Sequence, residues 1–320
     1  MSRQREEVAE ALRKADDIII ASHYNPDGDA IGSSVAMAYL LRALGKNVAI
    51  YNATGMPRTF DWMETPCPVL TELPRGYSWV VALDCGDLAR TGPELQRSFG
   101  DYRTINIDHH LGNPEFADLN WVKTTYSSTG EMVARLCDHF GVDLSGPLGE
   151  AVYTALVTDT GYFSYDNTTT RTMRVAERIM ELGLKPGPIN ARIQNQWTPA
   201  RLCLMGNVLG RAEMRMDGQL GLIRITRRAL EECGADATDA DGLINMLRQV
   251  RGVRIAVSLR EDGPEEIKFS LRSHGDTNVQ PVAAAHNGGG HKNAAGGTIF
   301  APMEEAAGIL ISACREVIAG

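Results

Sequence analysis

Imidazoles and carboxylates recur in this chain at the places where apolar runs stop. His23, Asp27 and Asp29 lie in the stretch His23-Tyr24-Asn25-Pro26-Asp27-Gly28-Asp29, directly after Ile18-Ile19-Ile20-Ala21. Asp84 follows Trp79-Val80-Val81-Ala82-Leu83, and Asp108-His109-His110 follows Arg103-Thr104-Ile105-Asn106-Ile107. Asp159 follows the helical pattern of Leu148 to Val157. Mixed His and Asp donors are the ligand types of a divalent transition metal. Taken alone, Asp27-Gly28-Asp29 also suits a polar turn in which Asp29 caps the next helix.

The elements around these residues decide between the two readings. Ile18 to Ala21 is an unbroken apolar run, as a buried strand requires, and Val35 to Leu41 has helical periodicity. Pro26 and Gly28 set the backbone of the intervening turn, since proline fixes φ and glycine permits unusual geometry. A further strand at Val48 to Tyr51 completes a β-α-β pattern, which predicts a parallel sheet with right-handed crossovers. The passage around Pro57, Pro66, Pro68 and Pro74 is expected to be loop with short elements. Strands over 79–83 and 103–107 then join the sheet. In open parallel α/β sheets, sites form beyond the carboxyl ends of the strands, so His23, Asp84 and Asp108 to His110 are expected to converge.

Composition restricts the classes of function. The chain has 320 residues, 43% of them hydrophobic and 22% charged, which predicts two soluble globular domains. A formal net charge of -8 argues against a general nucleic-acid coat protein, which would present a basic face. The charged start of the chain lacks the apolar core of a signal peptide, and no apolar run approaches the roughly 20 residues of a membrane span. Cys67, Cys85, Cys137, Cys203, Cys233 and Cys314 form no Cys-x-x-Cys pair, and reduced thiols in a cytoplasmic protein are expected.

Further along, Ser128 and Glu131 have capping-box spacing, and Asn167 to Arg171 starts another helix; capping explains both. His139 has no partner motif. The Pro- and Gly-rich stretch 185–199 is expected to link a domain over 1–184 to one over 200–320. The second domain is α+β, with hairpins around Asp217-Gly218 and Asp262-Gly263 and helices over 241–249 and 303–317. Arg272-Ser273-His274 closes one of its strands. His286-Asn287-Gly288-Gly289-Gly290-His291 follows, a glycine run suited either to exposing backbone N–H groups to an anion or to a flexible turn.

Together, His23-x-x-x-Asp27-x-Asp29, Asp84, Asp108-His109-His110, Asp159 and the later Gly288-Gly289-Gly290-His291 resemble the DHH phosphoesterase superfamily, over most of the chain and in its order. That superfamily includes RecJ-type exonucleases, manganese pyrophosphatases and the small oligoribonucleases called nano-RNases. The glycine run is similar to the DHH-associated domain of the nuclease branch, and the chain length to a stand-alone nano-RNase. The resemblance implies an α/β fold: a parallel sheet flanked by helices, a smaller α+β domain, and an active site in the cleft between the domains.

It also implies a reaction. Short RNA or DNA oligonucleotides would be hydrolysed to mononucleotides, and 3′-phosphoadenosine 5′-phosphate to AMP; the alternative is a phosphodiesterase for linear or cyclic dinucleotides. Two divalent ions, with Mn(II) indicated by the resemblance, would be held by His23, Asp27 and Asp84 and by Asp29, Asp84, His109 and Asp159. Four clustered carboxylates would otherwise repel a phosphate. Asp108 would orient a histidine, and His110 would face the substrate. Arg272, Ser273, His286, Gly288, Gly289, Gly290 and His291 would bind it, with hinge closure at the linker. The implied setting is cytoplasmic, without a membrane, and a homodimer is compatible with it.

Overall fold

The computed structural model describes residues 3–319, apart from the side chain of His291. The chain divides between Gln196 and Trp197 into two compact units. That point lies inside the stretch expected to be a linker, but much of this stretch is the helix Pro186–Gln194, whose Ile189 packs into the core of the first unit. No helix among the described residues is long and apolar enough to cross a membrane.

The first unit runs α1 (Arg3–Lys14), β1 (Ile18–Ala21), α2 (Gly28–Ala43), β2 (Val48–Tyr51), β3 (Val69–Leu70), β4 (Trp79–Leu83), α3 (Pro93–Ser98), β5 (Arg103–Asp108), β6 (Leu119–Val122), α4 (Thr129–Phe140), α5 (Gly146–Asp159), α6 (Thr170–Glu181) and α7 (Pro186–Gln194). Its strands are ordered β3-β2-β1-β4-β5-β6 and all pair in parallel. β1 and β2 are buried along their whole length, which accounts for their continuous apolar sequence. The short β3 and half-buried β6, which includes Asn120, lack that signature. The chain leaves β1 toward one edge and returns to β4 on its other side, so the order reverses between β1 and β4. This reversal is where a crevice opens above the strand ends.

Two glycines bring α2 and α5 close. A Cβ at Gly32 would lie 2.7 Å from the carbonyl oxygen of Ala151, and one at Gly28 would lie 2.4 Å from Thr158 Oγ1. The first turn of α2 therefore lies against the last turn of α5.

The second unit contains α8 (Pro199–Leu209), β7 (Glu213–Arg215), β8 (Leu220–Ile225), α9 (Arg227–Cys233), α10 (Leu243–Arg248), β9 (Ile255–Gly263), β10 (Glu266–Ser273), α11 (Gln280–Ala284), β11 (Gly289–His291), β12 (Ala294–Ile299) and α12 (Met303–Ala319). The sheet order is β11-β12-β10-β9-β8-β7, antiparallel except for β8 with β9. Leu259, Phe269 and Leu271 join Leu310 and Cys314 of α12 in one core, while Ile223 and Ile225 join Leu204, Leu243 and Leu247 in another. The β9–β10 hairpin turns at Pro264-Glu265, two residues beyond the expected Asp262-Gly263, because those residues still belong to β9.

Two expectations are corrected in this unit. Cys203 and Cys233 form a disulfide, because α8 and α9 pack side by side and bring together residues 30 apart in sequence. The other thiols are free, and Cys85, Cys137 and Cys314 are buried as expected of small apolar side chains. The glycine run is not a flexible turn: Gly289 to His291 is an edge strand paired with β12. A Cβ at Gly288 would fall 2.1 Å from the Gly296 carbonyl oxygen, so backbone packing requires glycine there.

Candidate metal centre

β1, β4 and β5 are neighbours, and their carboxyl ends deliver His23, Asp84 and Asp108 to His110 to one crevice. The start of α2 adds Asp27 and Asp29, and the end of α5 adds Asp159. His23 Nδ1 donates to the carbonyl of its neighbour Tyr24 at 2.9 Å, which leaves the Nε2 lone pair facing Asp27 Oδ1 at 3.9 Å and Asp84 Oδ2 at 3.7 Å. His109 Nε2 stands 3.5 Å from each of three oxygens, Asp29 Oδ2, Asp84 Oδ1 and Asp159 Oδ2. An ion with donors at about 2.1 Å spaces them about 3.0–3.4 Å apart, so this group has the right dimensions for one. The donors form two sets, His23 with Asp27 and Asp84, and Asp29 with His109 and Asp159; Asp84 also groups with His109 and His110.

Electrostatics point the same way. Burial, then Asp84, Asp159 and Asp27, drive the Asp29 carboxyl well above the usual range, and burial pushes Asp159 up to about 6. Asp84 is also buried, but His109, His110 and His23 outweigh that and hold its carboxyl low. His109 is raised to about 9: burial opposes its charge, and the surrounding carboxylates, Asp84 first, overcome this. Without cations, protons have to balance this cluster. The donor set therefore fits divalent metal ions.

The carboxylates are held by the fold rather than by one another. Asp27 caps α2, accepting from the backbone N–H groups of Asp29 and Ala30 through Oδ1. The capping residue is thus Asp27, not Asp29, and capping one helix does not preclude binding a metal with the same side chain. Asp29 Oδ2 and Oδ1 instead accept from the N–H groups of Thr129 and Gly130 at 2.7 and 2.9 Å, the N-terminus of α4. The Thr129 hydroxyl also donates to Asp84 Oδ1 at 3.2 Å. Asp84 has φ 53°, a left-handed conformation uncommon outside glycine, and its N–H donates to the Ile107 carbonyl.

Asp108 is wholly buried and takes two partners, His110 Nδ1 at 2.8 Å on Oδ1 and Asn113 Nδ2 at 2.6 Å on Oδ2. The bond to Asp108 raises the His110 pKa. In the first turn of α4, fully buried Glu131 accepts from the Ser127 backbone and hydroxyl and pairs with Arg171. Ser128 does cap α4, but Glu131 bonds Ser127 rather than closing a box with Ser128.

The structure thus brings together His23, Asp27, Asp29, Asp84, Asp108, His109, His110 and Asp159. Thr129, Gly130 and Asn113 were missed. Ser128-Thr129-Gly130 offered a signal, a helix N-terminus with a glycine where an anion can approach, but capping alone explained it. Of the residues expected on the second unit, the Ser273 hydroxyl is occupied, donating to the Thr277 carbonyl and accepting from Asn293. His286 is half-buried, and the side chain of His291 lies outside the described residues. Gly288 and Gly290 are bound into the β11–β12 packing, and Gly289 faces open space.

Comparison with known proteins agrees with this architecture. Residues 17–157 match the DHH family, N-terminal domain, and residues 225–319 match the DHHA1 domain. The bifunctional oligoribonuclease and PAP phosphatase NrnA of Thermus thermophilus is 35% identical over 97% of this chain and 93% of its own. The chain belongs to the DHH family. The Bacillus subtilis relative of the same name is 28% identical over 97% of this chain and 98% of its own. Among solved structures, an exopolyphosphatase-related protein from Bacteroides fragilis superposes with a TM-score of 0.89 at 29% identity, covering 99% of this chain and 98% of that one.

Proposed function

We propose that this chain is a metal-dependent phosphoesterase that hydrolyses short oligonucleotides to mononucleotides and 3′-phosphoadenosine 5′-phosphate to AMP. The observation that carries the reading is the pair of donor sets on adjoining strand ends, with Asp84 between them. The full-length likeness to two bifunctional oligoribonucleases and PAP phosphatases supports the choice of substrates.

His23, Asp27 and Asp84 hold one ion, and Asp29, Asp84, His109 and Asp159 hold the other. Mixed nitrogen and oxygen donors favour Mn(II), Co(II) or Zn(II) over Mg(II), and Mn(II) is the ion expected. When bound, the ions cancel the carboxylate charge, polarise the phosphoryl oxygens and lower the pKa of bound water. The Tyr24 carbonyl fixes the His23 tautomer with its lone pair toward the ion. The α4 N-terminus orients Asp29 and partly offsets the cost of its charge, as a partner bonded behind a metal ligand does. Asp108 raises the pKa of His110, which is more exposed than His109, and so favours the proton on Nε2 that could pass to the phosphate or the leaving oxygen. Asn113 keeps Asp108 in place for this task. On the second unit, Arg272 binds a substrate phosphate, for which its planar fork is suited.

The test is hydrolysis of a dinucleotide and of 3′-phosphoadenosine 5′-phosphate after chelation and then after addition of Mn(II). Activity should disappear and return. Undiminished turnover in excess chelator would refute the reading.

A further inference from the structure

Three of the four clustered carboxylates have holders already described: backbone N–H groups for Asp27 and Asp29, and the Thr129 hydroxyl for Asp84. Asp159 differs. It is the last residue of α5, and its side chain is 29% exposed. Among the described residues, the one hydrogen-bond donor to its carboxylate is Asn167, whose Nδ2 lies 3.4 Å from Oδ2. That oxygen is the one that faces His109 Nε2.

In the sequence Asn167 stands just ahead of a helix, where capping would account for it. The cap is in fact Thr169, which exchanges hydrogen bonds with Thr172. Asn167 instead places Nδ2 at 3.0 Å from the Ser127 carbonyl and 3.1 Å from the Asp159 carbonyl, in addition to the Asp159 carboxylate. All three partners can only accept, which decides which end of the amide is the nitrogen. Its Oδ1 is buried without a partner, so the amide keeps this orientation at a cost. The loop that delivers it is itself unusual. Gly161, Tyr162 and Phe163 are left-handed in succession, with φ 54°, 59° and 62°, a conformation uncommon for the two aromatic residues. Beyond Asn167, the start of α6 is anchored on α4, because Arg171 and the Thr172 hydroxyl both bond Glu131. Ser127 directly precedes Ser128, the cap of α4, whose first N–H groups grip Asp29. One amide therefore joins the end of α5 to the turn that holds Asp29.

We propose that Asn167 is a positioning residue for the donor set of Asp29, His109 and Asp159: by bonding Asp159 Oδ2 and the Ser127 carbonyl together, it fixes the spacing of the two carboxylates around His109 Nε2. A half-exposed carboxylate at a helix end would otherwise sample several rotamers, and binding an ion would have to freeze them. A partner bonded behind the ligand removes that cost in advance. The other donor set, His23 with Asp27 and Asp84, takes no hydrogen bond from Asn167. The inference rests on the two-ion reading, and it confines the task of Asn167 to one of the two ions.

The experiment is titration of the full, metal-stripped chain with Mn(II), following the free ion by electron paramagnetic resonance. The unaltered chain should bind two ions. Asn167→Ala should weaken one of them about tenfold and leave the other within about twofold, the loss expected when the partner behind a single ligand is removed. Asn167→Gln, which keeps the amide on a longer arm, should lose less. The melting temperature of the metal-free chain should stay near that of the unaltered one in both variants. The Mn(II) concentration needed for dinucleotide hydrolysis should rise in Asn167→Ala by about the same factor as the affinity falls. Undiminished affinity for both ions in Asn167→Ala would overturn the proposal. Equal weakening of both ions, or loss of the folded state, would make Asn167 a support of the fold alone and overturn it too. An unaltered chain that binds no Mn(II) would refute the phosphoesterase reading itself, whereas two ions bound without regard to Asn167 would remove only this inference.

Discussion

The two units solve opposite electrostatic problems with opposite sheet geometries. The first unit gathers Asp27, Asp29, Asp84 and Asp159 beside its histidines, from a strand end and two helix ends, so residues distant in sequence meet at points. The second spreads Arg260, Lys268 and Arg272 along the face of an antiparallel pair, so residues close in sequence form a surface. The acidic cluster is buried at its base, with Asp29 1% and Asp84 2% exposed although Asp27 faces solvent, and backbone N–H groups hold Asp29 in place. The basic face keeps Lys268 exposed, with no carboxylate within 4 Å among the described residues, although Asp262 feels its charge. A site that must fix ions needs rigid donors, whereas one that greets a phosphate can use longer, adaptable side chains.

That contrast can be broken most decisively at Asp84. Asp84→Asn should lower kcat about a thousandfold or more while thermal unfolding stays cooperative, since a bound metal supplies several kcal/mol of transition-state stabilisation. Arg272→Ala should instead raise KM by about tenfold to a hundredfold with kcat within about twofold, as expected from a lost charged hydrogen bond. A kcat loss at Arg272 as large as that at Asp84 would abolish the division between ion-holding and substrate-holding units.

A smaller effect is expected behind the ligands. Thr129→Val keeps the backbone N–H to Asp29 but removes the hydroxyl from Asp84, and Mn(II) affinity should fall by about tenfold. Thr129→Ser should retain it; free Mn(II) measured by electron paramagnetic resonance reads both. Metal binding should also depend on pH with a definite sign. In the metal-free chain His109 is raised to about 9 and Asp159 to about 6, and both must lose a proton to bind an ion, so affinity should fall as pH drops below about 9 and fall more steeply below about 6. Calorimetry in buffers of different ionisation enthalpy should record proton release near pH 6, and binding without release would contradict the assignment of Asp159. The least effect on turnover belongs to the disulfide. Cys203→Ser should cost about 3–4 kcal/mol of stability for a closed loop of this length, read from denaturant midpoints, and leave kcat unchanged.

Much of the first unit was legible in the sequence because parallel strands buried on both faces are unbroken apolar runs, and the residue after each run is at a strand end. His23, Asp84 and Asp108 to His110 could be placed on that ground alone. β3 and β6 were not legible, being short and only half-buried. Thr129 was hidden for another reason: its contacts to Asp29 and Asp84 span 100 and 45 residues, and no local pattern encodes them. The disulfide escaped because α8 and α9 pair in space, not in sequence. The glycine run shows the converse, where a pattern suggestive of anion binding answers first to the closeness of two strands.

The left-handed backbone of Asp84 narrows the set of residues that position can tolerate. Asparagine visits that conformation readily, so Asp84→Asn changes charge while keeping the turn. Glutamate would reach one methylene too far, and valine or isoleucine would clash with the turn before any ion was considered. Inheritance at this position is therefore filtered twice, by conformation and by ligation, and a lineage that abandons hydrolysis but keeps the fold would be expected to carry asparagine or glycine there.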